Sequence, residues 1–527
     1  MTLSKNPART LRNARLDRRQ FAAGAAVSAA VAVAGVSSVH AQDATPAAGS
    51  PPAGGGPAPV LPAGVEVSTV ASGLQSPRFI AISQGTVYFT EAGTGGDTAV
   101  IATPGPGTPE STEPISMSGK SGKLSSIASD GTVTVLVDDF VSYTFGENGE
   151  IVGPAGVTLD GNGKAYVAVG SPGPLVASID LTGEEGVVYE VDLATKEKKV
   201  LANAVKYEIE NNPDPMAIDS NIYGVAYDNG TIYVADAGGN DILAVKADSG
   251  DISTFAVTGG LDVNIFPPSG NPARQGEQQI DSVPSDVAIG PDGNIYVSFV
   301  TGGPFPPGLA PIYSYAPDGT KSVFATGLTM TGSLAFASDG TLYAAIISTN
   351  LLEMGLGQIV RVKADGTHEV IIDGLIAPNG IAFDDGDNLF VAVKTTGAPG
   401  GGEILKFTGV TSAAGQPAAT PSAATPAAPP VATPIAAAAP VTILCEDIKY
   451  STNAVSIPAN TDVAFTIQNA GVLPHDFQID KLKVSSGVLA SGKSANLVIN
   501  APAGTYTYYC GQPGHRAAGM VGTLTVE

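Results

Sequence analysis

The chain has 527 residues, enough for two to four domains, and its 49 acidic against 26 basic side chains give a net charge of −23. Such an acidic chain repels phosphates, which makes it a poor nucleic-acid binder, and its two cysteines exclude a disulfide framework and a structural zinc module. With 65 Gly, 40 Pro and few charged residues, the composition favours turn-rich β structure, so we predict an all-β fold.

Residues 1–41 have the pattern of an export signal. A basic stretch precedes an apolar, Ala- and Val-rich run at 21–41, which ends in a small-residue cleavage pattern. The pair Arg18-Arg19 resembles the core of a twin-arginine signal. We therefore predict export by the twin-arginine route to the periplasm, cell envelope or exterior, with no stable membrane span after cleavage. An uncleaved transmembrane anchor is the alternative.

Two low-complexity segments divide the rest of the chain. Residues 42–63 are rich in Ala, Pro and Gly, and residues 410–440 are rich in Ala, Pro and Thr and carry no charge. Segments of this composition cannot bury a core, so we predict that both are linkers. The mature chain then consists of a large domain at 64–409, a tether, and a small domain at 441–527.

The large domain contains a repeat. Six segments share a short apolar strand, a turn, and a second strand centred on an aromatic residue. The equivalent aromatics are Tyr88, Tyr166, Tyr233, Tyr296, Tyr343 and Phe390. The last three are 47 residues apart, a period typical of a four-stranded propeller blade, and the earlier copies are lengthened by insertions. Residues 64–409 are therefore predicted to form a six-bladed β-propeller.

The N-terminal strand is predicted to close the ring of blades. The copies continue into a second hairpin, with Asp-Gly pairs such as Asp130-Gly131 at the tips, where tight turns favour them. The sixth copy has a third strand at 403–407 but no fourth. Residues 65–74 resemble the outer strands of other copies, so they can supply the missing strand and hide both edges.

This repeat resembles the ScyD/ScyE propellers associated with scytonemin biosynthesis, and more loosely the NHL and gluconolactonase-like propellers. A gluconolactonase-like metal site needs carboxylates and amides converging on the axis, where Asn379 is the candidate. The equivalent positions of other repeats offer no acid: Arg78, Ala155, Ser285 and Gly332. We therefore interpret Asn379 as a turn residue rather than a ligand, and residues 384–388 as a turn rather than a calcium loop.

The long insertions share one face of the predicted propeller. Because strands alternate in direction, the second-to-third turns and the blade-to-blade connections lie on the face opposite the Asp-Gly turns. The insertions at this face are 94–120, 141–153, 205–221 and 259–282. Insertions tend to gather on a binding face, so we expect a protein or surface ligand there. Four side chains are expected to reach the same face: Arg78, Tyr223, Asp236 and Asn379.

The small domain carries a metal-ligand pattern. Cys510, His515 and Met520 form C-x4-H-x4-M, and His475 lies upstream on a separate predicted strand. The whole domain resembles a cupredoxin, a β-sandwich that holds one type 1 copper. The resemblance implies that the two histidines and the cysteine form a trigonal plane with the methionine as weak axial ligand. We interpret Cys445 as a small buried residue on the first strand.

The sequence is compatible with two functions. The first is an exported electron-transfer protein whose propeller is a binding scaffold and whose copper serves a redox partner protein or a small electron donor or acceptor. The alternative is an extracytoplasmic oxidoreductase whose propeller oxidises a small molecule and passes electrons to the copper. The scarcity of propeller histidines, only His368, argues against a nitrous-oxide reductase or a quinoprotein dehydrogenase. No C-x-x-C-H motif for covalent haem exists, and a copper-storage role is a third reading.

Overall fold

A computed structural model gives the architecture of the chain. The residues that it describes are 58–101, 114, 116–145, 150–173, 181–216, 218–263, 266, 270–351, 355–396, 400–417, 441–446, 449–470, 475–489, 492–511 and 520–527. The proposed export signal, most of both linkers and His515 lie outside these ranges. In the described ranges no helix is long and apolar enough to span a membrane.

The N-terminal part is a β-propeller of six antiparallel sheets. Blade one contains β2 (Pro77–Ser83), β3 (Thr86–Glu91), β4 (Thr98–Val100), β5 (Ser116–Ile127), β6 (Val133–Phe145) and β7 (Glu150–Val152), and it follows β1 (Glu66–Leu74). Blade two contains β8 (Pro154–Leu159), β9 (Lys164–Val169), β10 (Val187–Asp192) and β11 (Lys198–Asn203), and is followed by the helix α1 (Ala204–Asn211). Blade three contains β12 (Ile222–Asp228), β13 (Thr231–Asp236), β14 (Asp241–Lys246) and β15 (Ile252–Val257), and is followed by the hairpin β16 (Gly260–Asp262) and β17 (Gln279–Asp281).

The remaining three blades repeat this arrangement. Blade four contains β18 (Pro284–Ile289), β19 (Ile295–Phe299), β20 (Ala310–Tyr315) and β21 (Lys321–Leu328). Blade five contains β22 (Thr331–Phe336), β23 (Leu342–Ile346), β24 (Gly357–Val362) and β25 (His368–Leu375). Blade six contains β26 (Ile381–Phe383), β27 (Leu389–Val393) and β28 (Gly402–Thr408), with β1 as its fourth strand, and the short β29 (Gln416–Pro417) joins blade five.

The ring closes as the sequence predicts. Strand β1 pairs antiparallel with β28, from Glu66 opposite Thr408 to Leu74 opposite Gly402. The innermost strands β2, β8, β12, β18, β22 and β26 contact one another in that order, and β26 returns to β2. Strand β1 therefore covers the outer edge of β28, which would otherwise be unpaired.

The repeated aromatics pack one blade against the next. Tyr166 stacks on Tyr227 of blade three with ring centroids 5.6 Å apart. Tyr296 meets Phe336 edge to face at 5.1 Å, and Tyr343 meets Phe383 in the same way at 5.0 Å. Large rings in edge or stacked contact bury much apolar area, which explains why the second strand of each copy carries one.

Glycines let the innermost strands approach closely near the axis. A Cβ added at Gly156 would lie 2.3 Å from the Tyr223 carbonyl oxygen, and one at Gly380 would lie 2.3 Å from the carbonyl oxygen of Arg78. A side chain at either position would push neighbouring blades apart. The glycine in several copies of the first strand is therefore a packing requirement of the ring.

The insertions carry more regular structure than loops. Residues 94–120 and 141–153 include β4 and β7 and lengthen β5 and β6, so they extend the sheet of blade one. Residues 205–221 contain most of α1, and 259–282 contain the β16–β17 hairpin with a 3₁₀ helix at Pro272–Arg274. All four lie on the face of the second-to-third turns and blade connections, which we call the mouth face.

Both predicted linkers have ends that lie on blade five. Val60 bridges Asp373 on β25, and β29 pairs with the same strand. The Arg361 guanidinium donates hydrogen bonds to the carbonyl oxygens of Thr411 and Ala413 at 3.3 and 3.0 Å. Residues 410–417, which composition assigned to the second linker, therefore belong to the propeller surface, because hydrogen bonding to a neighbouring strand outweighs their low-complexity composition.

The C-terminal part is a β-sandwich. One sheet has the order β31 (Lys449–Tyr450), β30 (Val441–Glu446), β33 (Val463–Asn469), β36 (Ser494–Ile499). The other has the order β32 (Ala454–Ile457), β38 (Val521–Val526), β37 (Gly504–Tyr509), β34 (Gln478–Ile479), β35 (Val484–Ser485), with a 3₁₀ helix at Asp480–Leu482. The core between them includes Phe477 and the strand residues Phe465, Tyr508 and Leu524, whose neighbours on each strand are more exposed.

Candidate metal centre

Strand order brings three predicted ligands to one end of the sandwich. His475 lies just before β34, Cys510 directly follows β37, and Met520 directly precedes β38. Because β37 lies between β34 and β38 and is antiparallel to both, its end meets their beginnings. Contrary to the prediction from the sequence, His475 does not lie on a strand of its own but at an isolated bridge to Leu489, in which each backbone N–H bonds the other carbonyl.

The three side chains are buried together. His475, Cys510 and Met520 are each 0% exposed. The Cys510 Sγ lies 3.9 Å from His475 Nδ1, and the Cys510 backbone N–H donates to the Met520 carbonyl oxygen at 3.1 Å. His515 falls within 512–519, outside the described residues, so its side-chain position is not part of this geometry.

The sulfur–nitrogen separation fits two ligands of one metal ion. Metal bonds of about 2.3 Å to sulfur and about 2.0 Å to nitrogen, at a trigonal angle of about 120°, separate the two donor atoms by about 3.7 Å. The observed 3.9 Å is close to that value. A thiolate, an imidazole and a thioether are a soft donor set, which suits copper better than zinc or the hard cations.

A main-chain and carboxylate framework holds the thiol side of the centre. The Asp476 N–H points at the Cys510 Sγ, 3.4 Å away, a hydrogen bond that stabilises a thiolate. The Asp476 carboxylate accepts the Gly511 N–H at 2.5 Å and the Gln478 side-chain amide at 2.9 Å, and its carbonyl oxygen accepts the Tyr450 hydroxyl at 2.8 Å. Asp476 thus ties the His475 segment to the Cys510 loop.

Sequence reasoning missed Asp476. The signal was its position directly after His475, but a carboxylate beside a histidine has many roles, and only the fold places it against the loop that begins at Gly511.

The second cysteine lies in the core, as the sequence predicts. Cys445 lies on β30, is 0% exposed and forms no disulfide with Cys510. Burial raises the pKa of its thiol to about 12, with a smaller contribution from Cys510. A thiol with such a pKa stays protonated near neutral pH and is a poor metal ligand.

The propeller side chains expected at the mouth face are buried and engaged within the protein. The Arg78 guanidinium donates to the carbonyl oxygens of Thr395 and Ile151 at 2.6 and 2.7 Å. Asn379 donates its side-chain amide to the Tyr223 hydroxyl, so blade six meets blade three across the axis. The Arg78 guanidinium is thus engaged where the blades converge. The Asn379 Oδ1, in contrast, is buried without a hydrogen-bond partner among the described residues.

Comparison with known proteins identifies the C-terminal domain. Residues 418–526 match the family model described as a cupredoxin-like domain. A plastocyanin from Prochlorothrix hollandica is 35% identical over 105 residues, which cover 18% of this chain and 76% of the relative. A plastocyanin from Scenedesmus fuscus is 38% identical over 88 residues, which cover 15% of this chain and 86% of the relative.

A solved structure resembles the N-terminal part. A gluconolactonase from Xanthomonas campestris matches 66% of this chain and 90% of its own length, with 12% identity and a TM-score of 0.41. The propeller itself follows from the six sheets and their closure. Through its C-terminal domain, then, the chain belongs to the cupredoxin-like family, with a type 1 copper electron-transfer domain that follows a six-bladed β-propeller.

Proposed function

We propose that this is an exported electron-transfer protein in which His475, Cys510, His515 and Met520 hold one type 1 copper and the propeller binds a redox partner or surface. The observation that carries the ligand assignment is the 3.9 Å separation of Cys510 Sγ and His475 Nδ1 in a fully buried setting. His515 enters from its spacing, five residues after Cys510 and five before Met520.

The chemistry of this ligand set suits one-electron transfer. Imidazole binds both copper oxidation states and the sulfur donors favour Cu(I), so a geometry acceptable to both needs little rearrangement when the electron moves. The Asp476 N–H directed at Cys510 holds the thiolate in place without adding a ligand.

Replacing the axial ligand tests this assignment. In Met520→Gln we expect copper to stay bound and the reduction potential to fall, because an amide oxygen is a harder donor than a thioether and favours Cu(II). Voltammetry of the copper-loaded protein measures the shift. An unchanged potential in a variant that retains copper would remove Met520 from the ligand set.

The distribution of exposed apolar side chains supports the mouth face as the docking face. In the described part of the propeller, every exposed Ile or Leu side chain lies in a mouth-face segment: Ile101, Leu181, Ile209, Leu309 and Leu356. The exposed valines, in contrast, lie mostly on the outer strands. Large apolar side chains exposed on the same face of a domain favour that face as a protein contact site.

Site-specific photo-cross-linking tests the docking face. A cross-linker at Leu309, on the mouth face, is expected to capture one defined envelope protein, and a cross-linker at Thr320, on the Asp-Gly turn face, is the matched control. Capture by the cross-linker at position 320 alone would place the partner on the Asp-Gly turn face and contradict the proposal.

Export has its own test. Substitution of Arg18 and Arg19 by Lys keeps the positive charge but removes the paired guanidinium groups of the signal. We expect the precursor to accumulate in the cytoplasm, as measured by cell fractionation. Unimpaired export of the double variant would exclude the twin-arginine route.

A further inference from the structure

Tyr450 joins one sheet of the sandwich to the segment that carries a proposed copper ligand. It lies on β31, at the edge of the sheet that also contains β30, β33 and β36. Its hydroxyl donates a hydrogen bond of 2.8 Å to the carbonyl oxygen of Asp476, the residue directly after His475. Asp476 belongs to the segment that leads into β34 of the other sheet. The bond therefore links the two sheets one residue away from the ligand.

A hairpin holds the residues on either side of Asp476. The N–H and carbonyl oxygen of His475 bond the carbonyl oxygen and N–H of Leu489, at 3.0 and 2.7 Å. The Phe477 N–H donates to the Ser486 hydroxyl oxygen, and the Ser486 N–H donates to the Phe477 carbonyl oxygen, both at 2.9 Å. Leu489 and Ser486 lie on the returning half of the hairpin, so this half fixes the neighbours of Asp476.

The main-chain groups of Asp476 itself point to the other side. Successive residues of an extended segment direct their N–H and carbonyl groups to alternate sides. The Asp476 N–H accordingly points at the Cys510 Sγ, 3.4 Å away, and the Asp476 carbonyl oxygen accepts the Tyr450 hydroxyl. Tyr450 thus holds the residue whose N–H bonds the thiol sulfur of the metal centre.

The Tyr450 side chain is itself fixed in the core. It is 7% exposed. Its ring meets the rings of Tyr508 and Phe477 edge to face, with centroids 5.2 and 5.9 Å away, and such packing leaves the ring little freedom. Burial raises the pKa of the Tyr450 phenol, so the hydroxyl keeps its proton and remains a hydrogen-bond donor in neutral and alkaline solution.

The hydrogen bond at the sulfur depends on the orientation of the Asp476 backbone. A hydrogen bond weakens steeply when its donor and acceptor lose their alignment, so a small rotation of Asp476 weakens the bond to Cys510. Hydrogen bonding around the cysteine sulfur is one of the features that tune the reduction potential of a type 1 copper. The bond withdraws negative charge from the thiolate, and a less electron-rich thiolate favours Cu(I) over Cu(II).

We propose that Tyr450 is a positioning residue that raises the reduction potential of the copper, by holding Asp476 so that its N–H stays directed at the Cys510 Sγ. This inference rests on the proposed function, since it requires copper on Cys510. It adds a residue that lies outside the ligand set, comes from the opposite sheet and acts only through the backbone of Asp476.

Tyr450→Phe tests the proposal in the copper-loaded full-length chain. The variant keeps the packed ring and removes only the hydroxyl. We expect copper to remain bound and its reduction potential to fall, with a loss of about 2- to 10-fold in the preference for Cu(I) over Cu(II), the range for one neutral hydrogen bond. The thiolate-to-copper absorption should move to longer wavelength, because a more electron-rich thiolate gives up its electron more easily. Voltammetry and visible absorption measure the two shifts.

Tyr508→Phe is the matched control. Tyr508 is also buried, and its hydroxyl donates a bond of 2.7 Å to the carbonyl oxygen of Thr452, which lies between β31 and β32. The control therefore loses a similar hydrogen bond in the same core but keeps the contact to Asp476. We expect its potential and its absorption to stay at the wild-type values. Equal shifts in both variants would mean that a loosened core moves the potential, and would overturn the proposal.

Amide hydrogen exchange of the wild-type Cu(I) protein gives a second test, which does not depend on the folding of any variant. We expect the Asp476 N–H to exchange slowly, and to exchange faster in Tyr450→Phe than in Tyr508→Phe. Exchange of the wild-type Asp476 N–H at the rate of an exposed loop amide would overturn the proposal. An unchanged potential in a blue Tyr450→Phe protein would also overturn it and leave the proposed function intact, whereas a wild-type protein without blue colour would contradict the proposed function itself.

Discussion

The two domains place their buried polar groups in different ways. In the cupredoxin domain, His475, Cys510 and Met520 lie at one end of the sandwich, in the loops that follow or precede adjoining strands. In the propeller, buried polar groups such as Arg78 and Asn379 hold blades together, and further buried acids lie in insertions that are not repeated. A spacing motif in the sequence therefore identifies a site, whereas a repeat identifies a scaffold and gives little information on the role of each copy.

The largest expected effect is on the copper centre. Cys510→Ser should abolish the intense blue colour of the Cu(II) protein, because that colour needs a copper–thiolate bond. Cys445→Ser is the matched control and should remain blue, since Cys445 lies in the core with a raised pKa. Visible absorption of both copper-loaded variants measures the difference. A blue Cys510→Ser protein would contradict the assignment.

Closure of the propeller depends on strand β1. Removal of residues 58–74 should open blade six, because β28 loses its partner from Thr408 to Gly402. We expect loss of cooperative unfolding or aggregation through the exposed edge, measured by calorimetry and light scattering. A cooperative, monomeric truncated propeller would show that the ring does not depend on this closure.

An intermediate effect is expected where Asp476 joins the two halves of the metal centre. Asp476→Ala removes the acceptor of the Gly511 N–H and leaves the backbone N–H toward Cys510 in place. Copper affinity should fall by about 10- to 100-fold, the range typical of groups that position metal ligands. Competition with a copper chelator measures the copper affinity. An unaltered affinity would mean that the loop that begins at Gly511 keeps its position without the Asp476 carboxylate.

Sequence patterns predicted the parts of both domains that depend on local chemistry. Alternating strands, Asp-Gly turns and the aromatic repeat determined the six blades, and the closing strand followed from the missing fourth strand of the sixth copy. The position of Cys445 in the core was likewise predicted. These features depend on periodicity and on residue type, which the sequence displays directly.

Contacts between distant segments were not predictable in the same way. The hydrogen bond between Asn379 and Tyr223 joins residues far apart in the chain, and the docking of residues 410–417 on blade five depends on Arg361. The pairing of Asp236 with Asp241 across β13 and β14 likewise appears only in the folded sheet. Such placements follow from the folded topology and leave no local pattern.

The smallest expected effect is a pH dependence of propeller stability. Burial raises the pKa of Asp286 to about 7, although hydrogen bonds from the Leu334 and Val287 N–H groups partly oppose the shift. A carboxyl group with a raised pKa binds more protons in the folded than in the unfolded state, so stability falls as pH rises from about 4 to about 7. The urea concentration at the midpoint of unfolding should therefore be lower at pH 8 than at pH 5. Asp286→Asn should reduce this dependence of the midpoint on pH. An unchanged dependence would exclude Asp286 as its source.

The central claim is that the C-terminal domain carries one copper that exchanges single electrons. A reductive titration of the copper-loaded full-length chain, followed by its blue absorption, tests it most directly. We expect one electron per chain to bleach the colour and reoxidation to restore it fully. A colourless copper complex, or a colour that persists after reduction of the bound copper, would contradict the claim.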